Sequence, residues 1–341
     1  MKILFLSCHT VLEFDDLILL NELGYEVFSP GTYWKPESGG DGIRPPLPQL
    51  KYKEDWINSF NQIGKRFPGE DGKFHLTKDL VDQFDIIIVM YLPNFIIKNW
   101  EVLKGKKVIW RTIGQSISSI ETLLKPYRDG LRILRYSPRE LTIPGFIGMD
   151  GLIRFYKDPE IYKNWTGKKS FVINFTQSMQ QRNTACGWKY FQEVTKPFPR
   201  KLFGPQNNQL GYGMGKVTYQ QQLREYRENR CYFYTGTHPA SYTLNYIEAW
   251  MTGIPIVALG SKLGNSTDFP NHDLYEVSDL IQNGVNGFVS DDIQTLRNYI
   301  SRLLKDSDLA QTISEKGRAE AIRHFDKNMI KLAWKDFLEK L

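Results

Sequence analysis

Short, wholly apolar runs separated by stretches of helical spacing are the feature that most restricts this chain. Residues 85–90 read Asp-Ile-Ile-Ile-Val-Met, with no polar alternation inside the run. Such a stretch suits a strand covered on both faces. Residues 2–7 and 25–28 read as two more buried strands, around an apolar helical spacing over 11–23 that stops at Gly24. A β-α-β opening of this kind is typical of a parallel sheet. Residues 107–110 and 132–134 supply further strands, so the first half is an α/β unit. Between the strands at 25–28 and 85–90 lies an irregular stretch, 30–75, with Pro30, Gly31, Pro36, Gly39, Gly40, Pro45, Pro46 and Pro48. Long excursions from a compact sheet are usually functional or mobile.

The pattern breaks over 144–165, at Pro144, Gly145, Gly148, Gly151 and Pro159, and a linker is expected there. A second α/β series follows. Strands are predicted at 170–175, 201–203, 231–234, 254–259 and 287–289. Helices are predicted at 185–194, 219–228, 243–251 and 274–282, and the chain is helical from 293. The length of 341 residues suits two domains. A hydrophobic share of 41% and a charged share of 24% exclude a disordered, collagen-like or polytopic membrane chain. The apolar run from Ile3 to Leu6 is too short for a secretory signal and reads as a first strand. No run approaches the ~20 residues of a membrane span. In parallel sheets ligands bind beyond the carboxyl ends of the strands, and with two domains the expected site is a cleft between them.

The net charge of +6 is unevenly placed. Residues 1–160 are neutral, residues 161–235 carry 12 Lys and Arg against 3 Asp and Glu, and residues 236–341 carry a net −3. A local excess of +9 points to a bound anion or to a solvated helical face. Cys8, Cys186 and Cys231 are odd in number and widely spaced, with no metal-ligand pattern, and suit a reducing cytoplasm.

The chemistry concentrates in residues 234–257. Ser241 and Thr243 stand where a helix should begin, as N-cap residues. Free N–H groups and the positive end of the helix dipole suit a phosphate there. Glu248 falls two turns further on, where a carboxylate could reach a sugar hydroxyl or simply face solvent. Gly253 ends the helix and Pro255 opens the next strand.

The sequence from Glu248 through Ala249, Trp250, Met251, Thr252, Gly253, Ile254 and Pro255 to Val257 resembles the donor-site motif of GT-B glycosyltransferases, family 4 and its relatives. The segment from Asp279 through Gly284, Asn286 and Gly287 to Val289 fits the continuation of that motif, and Phe325-Asp326 resembles the point where the last helix crosses back. The resemblance covers residues 170–341. It implies an α/β fold of two Rossmann-like domains facing across a cleft (GT-B), with a C-terminal helix crossing back to the N-terminal domain. The expected domains are 1–158 for the acceptor, 166–323 for the nucleotide-sugar donor, and a crossing helix at 324–341.

By the same resemblance Glu248 would hold the donor ribose, and the backbone from Ser241 through Tyr242 and Thr243 to Leu244 would hold the diphosphate. The family's first glutamate is Ala240 here, so Thr237 or His238 would have to serve the transferred sugar. A basic pair facing the leaving diphosphate would be Arg182 and Lys189, with Lys201 as a third candidate; cations there stabilise developing charge. In the first domain His9 is a candidate general base. Glu13, Asp16, Arg111 and Gln115 are candidate acceptor contacts. The catalytic candidates are thus His9, Arg182, Lys189 and His238.

The expectation is a cytoplasmic, metal-independent glycosyltransferase that moves a hexose from a UDP-sugar co-substrate to a hydroxyl, with retention. The acceptor would be a glycan or glycolipid, with peripheral membrane contact. One alternative is glucosylation of hydroxymethylated DNA bases, with Trp34, Tyr52 and Trp56 forming an aromatic pocket. Another is a non-catalytic nucleotide-sugar binder. No G-x-G-x-x-G follows a strand, which argues against a nicotinamide enzyme.

Overall fold

The computed structural model describes residues 1–33, 44–45, 54–61, 75–114, 116–265, 267–268 and 271–341. Of the sequence candidates, Gln115, Trp34 and Tyr52 lie outside these residues.

The chain divides into two compact units. One comprises Met1–Phe155 with Asn328–Leu341, the other Tyr156–Lys327. The first holds a six-stranded parallel sheet of β1 (Lys2–Leu6), β2 (Glu26–Phe28), β3 (Ile86–Met90), β4 (Lys107–Arg111), β5 (Leu131–Arg135) and β6 (Gly151–Leu152), in the order β2-β1-β3-β4-β5-β6. Ile3 lies opposite Ile86 and Leu6 opposite Val89, so the two most apolar runs form the centre. All five residues of β3 are buried, as an apolar run without alternation requires. Trp56 packs into the same core, 4.8 Å from the Phe84 ring and 6.2 Å from Phe28, and does not line an open aromatic pocket.

The second unit repeats the plan with β7 (Lys169–Phe175), β8 (Arg200–Phe203), β9 (Gly213–Gly215), β10 (Asn229–Tyr234), β11 (Ile256–Leu259) and β12 (Phe288–Ser290), in the order β12-β11-β10-β7-β8-β9. Strand order therefore reverses between β1 and β3 in one sheet and between β7 and β10 in the other. At such reversals the loops leave in opposite directions and open a crevice at the carboxyl ends.

The strands β6 and β9 are short and glycine-bearing, and no apolar run announces them. The helix expected over 185–194 starts later, at Trp188–Thr195, because Gly187 takes a left-handed φ of 64° after a 3-10 turn at Asn183–Cys186. The helical stretch expected over 274–282 shrinks to Val277–Leu280. The expected linker does not stay loose. Trp165 Nε1 donates to the Asn229 carbonyl at 2.8 Å, and Arg318 donates to the carbonyls of Pro159, Tyr162 and Met251. The last helix, Lys327–Glu339, belongs to the first unit and buries Ile330, Trp334 and Leu338.

A buried ionic cluster sits at the end of β5. Arg135 donates to both oxygens of Glu121, at 2.6 and 2.9 Å, and lies 3.7 Å from Glu140. Glu140 accepts from Thr112 Oγ1 and from the N–H groups of Tyr136 and Ser137. Burial nevertheless pushes its carboxyl up to about 7, against the opposing field of Arg135. A carboxyl that holds its proton more tightly when folded loses stability as pH rises from its unfolded value to its folded one. Glu140→Gln should therefore gain thermal stability relative to the parent between pH 4.5 and pH 7, by ~2–4 kcal/mol, and hold that difference above pH 7. Melting curves from pH 4 to 8 measure this; parallel curves for the two proteins would refute it.

Candidate functional site

The reversal point of the second sheet is where the sequence motif lands. β10 ends at Tyr234, and Gly236 turns the chain with a φ of 83°. The loop then seats itself on the preceding 3-10 turn. Thr235 Oγ1 donates to the Cys186 carbonyl at 2.7 Å, and the His238 N–H donates to the Ala185 carbonyl at 2.7 Å. Thr237 lies half-buried beside the Cys186 thiol, whose pKa burial raises, against Arg182 and a hydrogen bond with Thr237. The His238–Pro239 peptide is cis.

The helix Leu244–Thr252 follows. Thr243 is its N-cap, in extended conformation, with Oγ1 accepting from the Tyr246 N–H at 3.4 Å. Helix geometry leaves the N–H groups of Leu244 and Asn245 without intrahelical partners, and Thr243, Leu244 and Asn245 are half-exposed. The helix end is sealed by Gly253 at a φ of 102°, where a Cβ would also meet Ser314 Oγ at 2.9 Å. Asn245, absent from the sequence candidates, pins the start of this helix to β7. Its Nδ2 donates to the Phe175 carbonyl at 2.8 Å, and its Oδ1 accepts from Gln222 at 3.3 Å.

Ser241 and Tyr242 are buried. The Ser241 carbonyl accepts from the Glu276 N–H at 3.1 Å, and Tyr242 packs edge-on against Phe325 at 5.2 Å. The cap is Thr243 alone, and the accessible turn is 243–245.

Glu248 also differs from its expected place. Its side chain is 1% exposed, and Oε1 pairs with Lys157 Nζ at 3.0 Å. Oε2 accepts from Gln222 Nε2 at 3.0 Å and from the Tyr226 hydroxyl at 3.3 Å. Lys157, 2% exposed, is held in turn by its N–H on the Phe325 carbonyl at 3.0 Å. In this structure the carboxylate ties the helix to distant segments instead of presenting itself to a ribose.

The candidate cations separate. Arg182 is exposed at the end of the short helix Met179–Arg182, on the loop that leaves β7, and Lys189 is exposed in the first turn of Trp188–Thr195. Lys201 points elsewhere. It sits inside β8, bonded to Glu225 at 3.0 Å and over the Phe171 ring at 4.7 Å. Much of the basic excess is spent on the fold. Arg227 donates to the carbonyls of Lys163 and Ile161, Arg230 to that of Gly167, and Arg200 to Thr195 Oγ1. Lys169 pairs with Glu228 at the other end of β7. The +9 segment is therefore not one surface.

The carboxyl edge of the β7–β8 pair is built with unusual backbone. Ser178 and Gln206 both take left-handed φ, 49° and 64°, and their side chains bond to each other at 2.7 Å. Buried Asn207 ties the same loops, donating to the Thr176 carbonyl and accepting from the Met179 N–H. Left-handed non-glycine residues held this firmly mark a loop whose shape is imposed by its surroundings. No sequence pattern announced them.

His238 is half-buried and faces a small cavity lined by Pro239, Ala240, Asn265, His272 and Tyr275. Burial holds the His238 pKa below the usual imidazole value, partly offset by Asp268.

In the first unit His9 caps the helix Thr10–Glu22, its Nδ1 accepting from the Leu12 N–H at 3.3 Å. With Nδ1 accepting, a neutral ring carries its proton on Nε2. Glu13 is buried and clamps the following loop, accepting from Ser29 Oγ and from the N–H groups of Thr32 and Tyr33; burial raises its pKa. Asp16 is buried on the same helix. Arg111 is 0% exposed, donates to the carbonyls of Arg135, Ile153 and Arg154, and stacks on Trp334 at 5.5 Å. Glu13, Asp16 and Arg111 are thus buried in the fold, not laid out as an acceptor surface. The reversal point of this sheet instead presents Cys8 and Tyr91. Tyr91 and Leu92 take left-handed φ values of 62° and 33° directly after β3. Among the described residues no cluster of three or more His, Cys, Asp or Glu could hold a metal, and no helix is long and apolar enough to cross a membrane.

The fold is shared with solved structures. Sucrose-phosphate synthase from Thermosynechococcus elongatus superposes with a TM-score of 0.66 at 12% identity, covering 100% of this chain and 98% of that one. HepE of Anabaena, solved with UDP and glucose, gives 0.65 at 16% identity with 100% of both chains covered. TarM of S. aureus, solved with fondaparinux, α-GlcNAc-glycerol and UDP, gives 0.55 at 15% identity over 74% of this chain and 55% of that one. The fold is that of GT-B glycosyltransferases. No family profile matches the sequence, and no curated protein does.

Removing one member of a buried ion pair strands the other charge, at a cost of about 3–5 kcal/mol. Glu248→Ala should lose stability of that order in urea unfolding, and Glu248→Leu combined with Lys157→Met should recover most of it. A Glu248→Ala protein as stable as the parent would show that the carboxylate is not part of the fold's internal bonding.

Proposed function

We propose that this chain is a glycosyltransferase that binds a nucleoside-diphosphate sugar, of the UDP type, on its second unit and passes a hexose to an acceptor hydroxyl bound on its first. The observation that carries this reading is the N-terminus of Leu244–Thr252. It opens at the carboxyl edge of the sheet, at the β7–β10 reversal, on the same side as the Arg182 loop and His238. The fold it shares over its whole length with a protein that holds UDP and glucose supports the same choice.

In this reading the diphosphate meets the N–H groups of Leu244 and Asn245, with the helix dipole behind them. Arg182 supplies the cation that meets charge developing on the leaving diphosphate. Lys189 is the second candidate for that task. Thr237 and His238 face the sugar in place of the carboxylate that Ala240 cannot provide. Transfer breaks the bond between the anomeric carbon and the diphosphate oxygen, which keeps the electron pair, and forms one to the acceptor oxygen, whose proton passes to the departing diphosphate. Retention of configuration is proposed on the motif's resemblance to family 4. The acceptor is proposed to be a glycan or glycolipid, received near His9, Cys8 and Tyr91. Of the features behind the nucleic-acid alternative, the basic segment is dispersed and Trp56 is core, while Trp34 and Tyr52 lie outside the described residues.

Isothermal titration with UDP tests the reading. Arg182→Ala should weaken UDP binding about tenfold, the loss of one charge-assisted contact, whereas Lys201→Met should leave it within about twofold. Absence of UDP binding at millimolar concentration, or the reverse order of the two variants, would overturn the proposed site.

A further inference from the structure

The cavity behind His238 carries information about the sugar. It is lined by His238, Pro239, Ala240, Gly264, Asn265, His272, Leu274 and Tyr275, with room for about one water-sized group. Among the described residues, neither a carboxylate nor a Lys or Arg lines it. Two of its polar groups are poised for a visitor. The Tyr275 hydroxyl is buried and has no hydrogen-bond partner among the described residues, and its residue is 1% exposed. The His238 ring makes no hydrogen bond with the described residues, although its backbone is fixed on Ala185.

A buried hydroxyl without a partner favours a ligand that completes its bonding. The surroundings then decide the charge of that ligand. Asp268 acts on His238, Asp273 accepts from Asn265 Nδ2 at 2.7 Å, and Asp291 acts on Tyr275. Burial keeps both imidazoles below the usual value and so uncharged at neutral pH. A carboxylate entering here would meet three aspartates from outside and no cation from inside, whereas a hydroxyl would meet a phenol and an imidazole that can each bond to it. Ala240 sets the size, because any longer side chain at that position would occupy the space.

We propose that this cavity receives an uncharged polar substituent of the transferred sugar, so that the chain takes neutral hexosyl donors in preference to uronosyl donors, with Ala240 and Tyr275 as the residues that set the preference. The proposal rests on the nucleotide-sugar reading above and goes further by naming the class of sugar.

Titration of the full chain at pH 8 with UDP, UDP-glucose and UDP-glucuronate separates the two claims. UDP-glucose should bind at least about tenfold more tightly than UDP-glucuronate. Ala240→Leu should weaken UDP-glucose about tenfold while UDP stays within about threefold. Should that variant fail to fold, Tyr275→Phe keeps the ring, removes the hydroxyl and should lower UDP-glucose affinity without moving UDP. UDP-glucuronate binding as tightly as UDP-glucose, or a Tyr275→Phe protein whose affinities for UDP-glucose and UDP are both unchanged, would overturn this inference and leave the nucleotide reading standing. A chain that does not bind UDP contradicts both.

Discussion

The buried pair of Lys157 and Glu248 is the interaction on which the functional part of the second unit depends. Glu248 lies inside the helix whose first turn forms the proposed diphosphate site, and its two oxygens reach Lys157, Gln222 and Tyr226. Those partners come from the start of the unit and from the helix Tyr219–Glu228. With Asn245 bonded to the end of β7, the helix is held at its middle and at its tip. Its free N–H groups are thereby fixed in direction before any ligand arrives, which is what electrostatic preorganisation requires. A well-satisfied buried charge pair need not add net stability, but it is costly to break. Its contribution here is to fix position.

Both units apply one plan. Apolar runs make parallel strands, order reverses once in each sheet, and the loops at the reversal carry the unusual backbone. Tyr91 and Leu92 stand there in one unit, and Ser178 and Gln206 stand at the carboxyl edge of the other. The rigid parts are buried polar clusters, Arg135 with Glu121 in the first unit and Lys157 with Glu248 in the second. The accessible parts are a helix tip, a loop arginine and an imidazole.

Much of the fold is legible in the sequence because continuous apolar runs have few alternatives. β3, β4 and β7 fall within a residue of the apolar stretches that mark them. β6 and β9 escape, since edge strands of two or three residues with glycine carry no run. The site is legible in outline only. Thr243 and Gly253 bound the helix because capping is a local property. The fate of a charged side chain is not local. Glu248 meets a lysine 91 positions earlier, Lys201 meets Glu225, and Arg111 meets carbonyls at 135, 153 and 154. Each was read as facing a ligand because charge at a strand end or on a helix suggests solvent. Only the tertiary fold shows that a partner was already there. The +9 segment misleads for the same reason, as composition counts arginines that spend themselves on backbone carbonyls.

The central claim is that the first turn of Leu244–Thr252 receives the diphosphate. Amide hydrogen exchange on the full chain with and without saturating UDP tests it most directly. Slowed exchange at Leu244 and Asn245, together with the loop around Arg182, is the predicted result. UDP binding that leaves these amides unchanged and protects another part of the chain would contradict it.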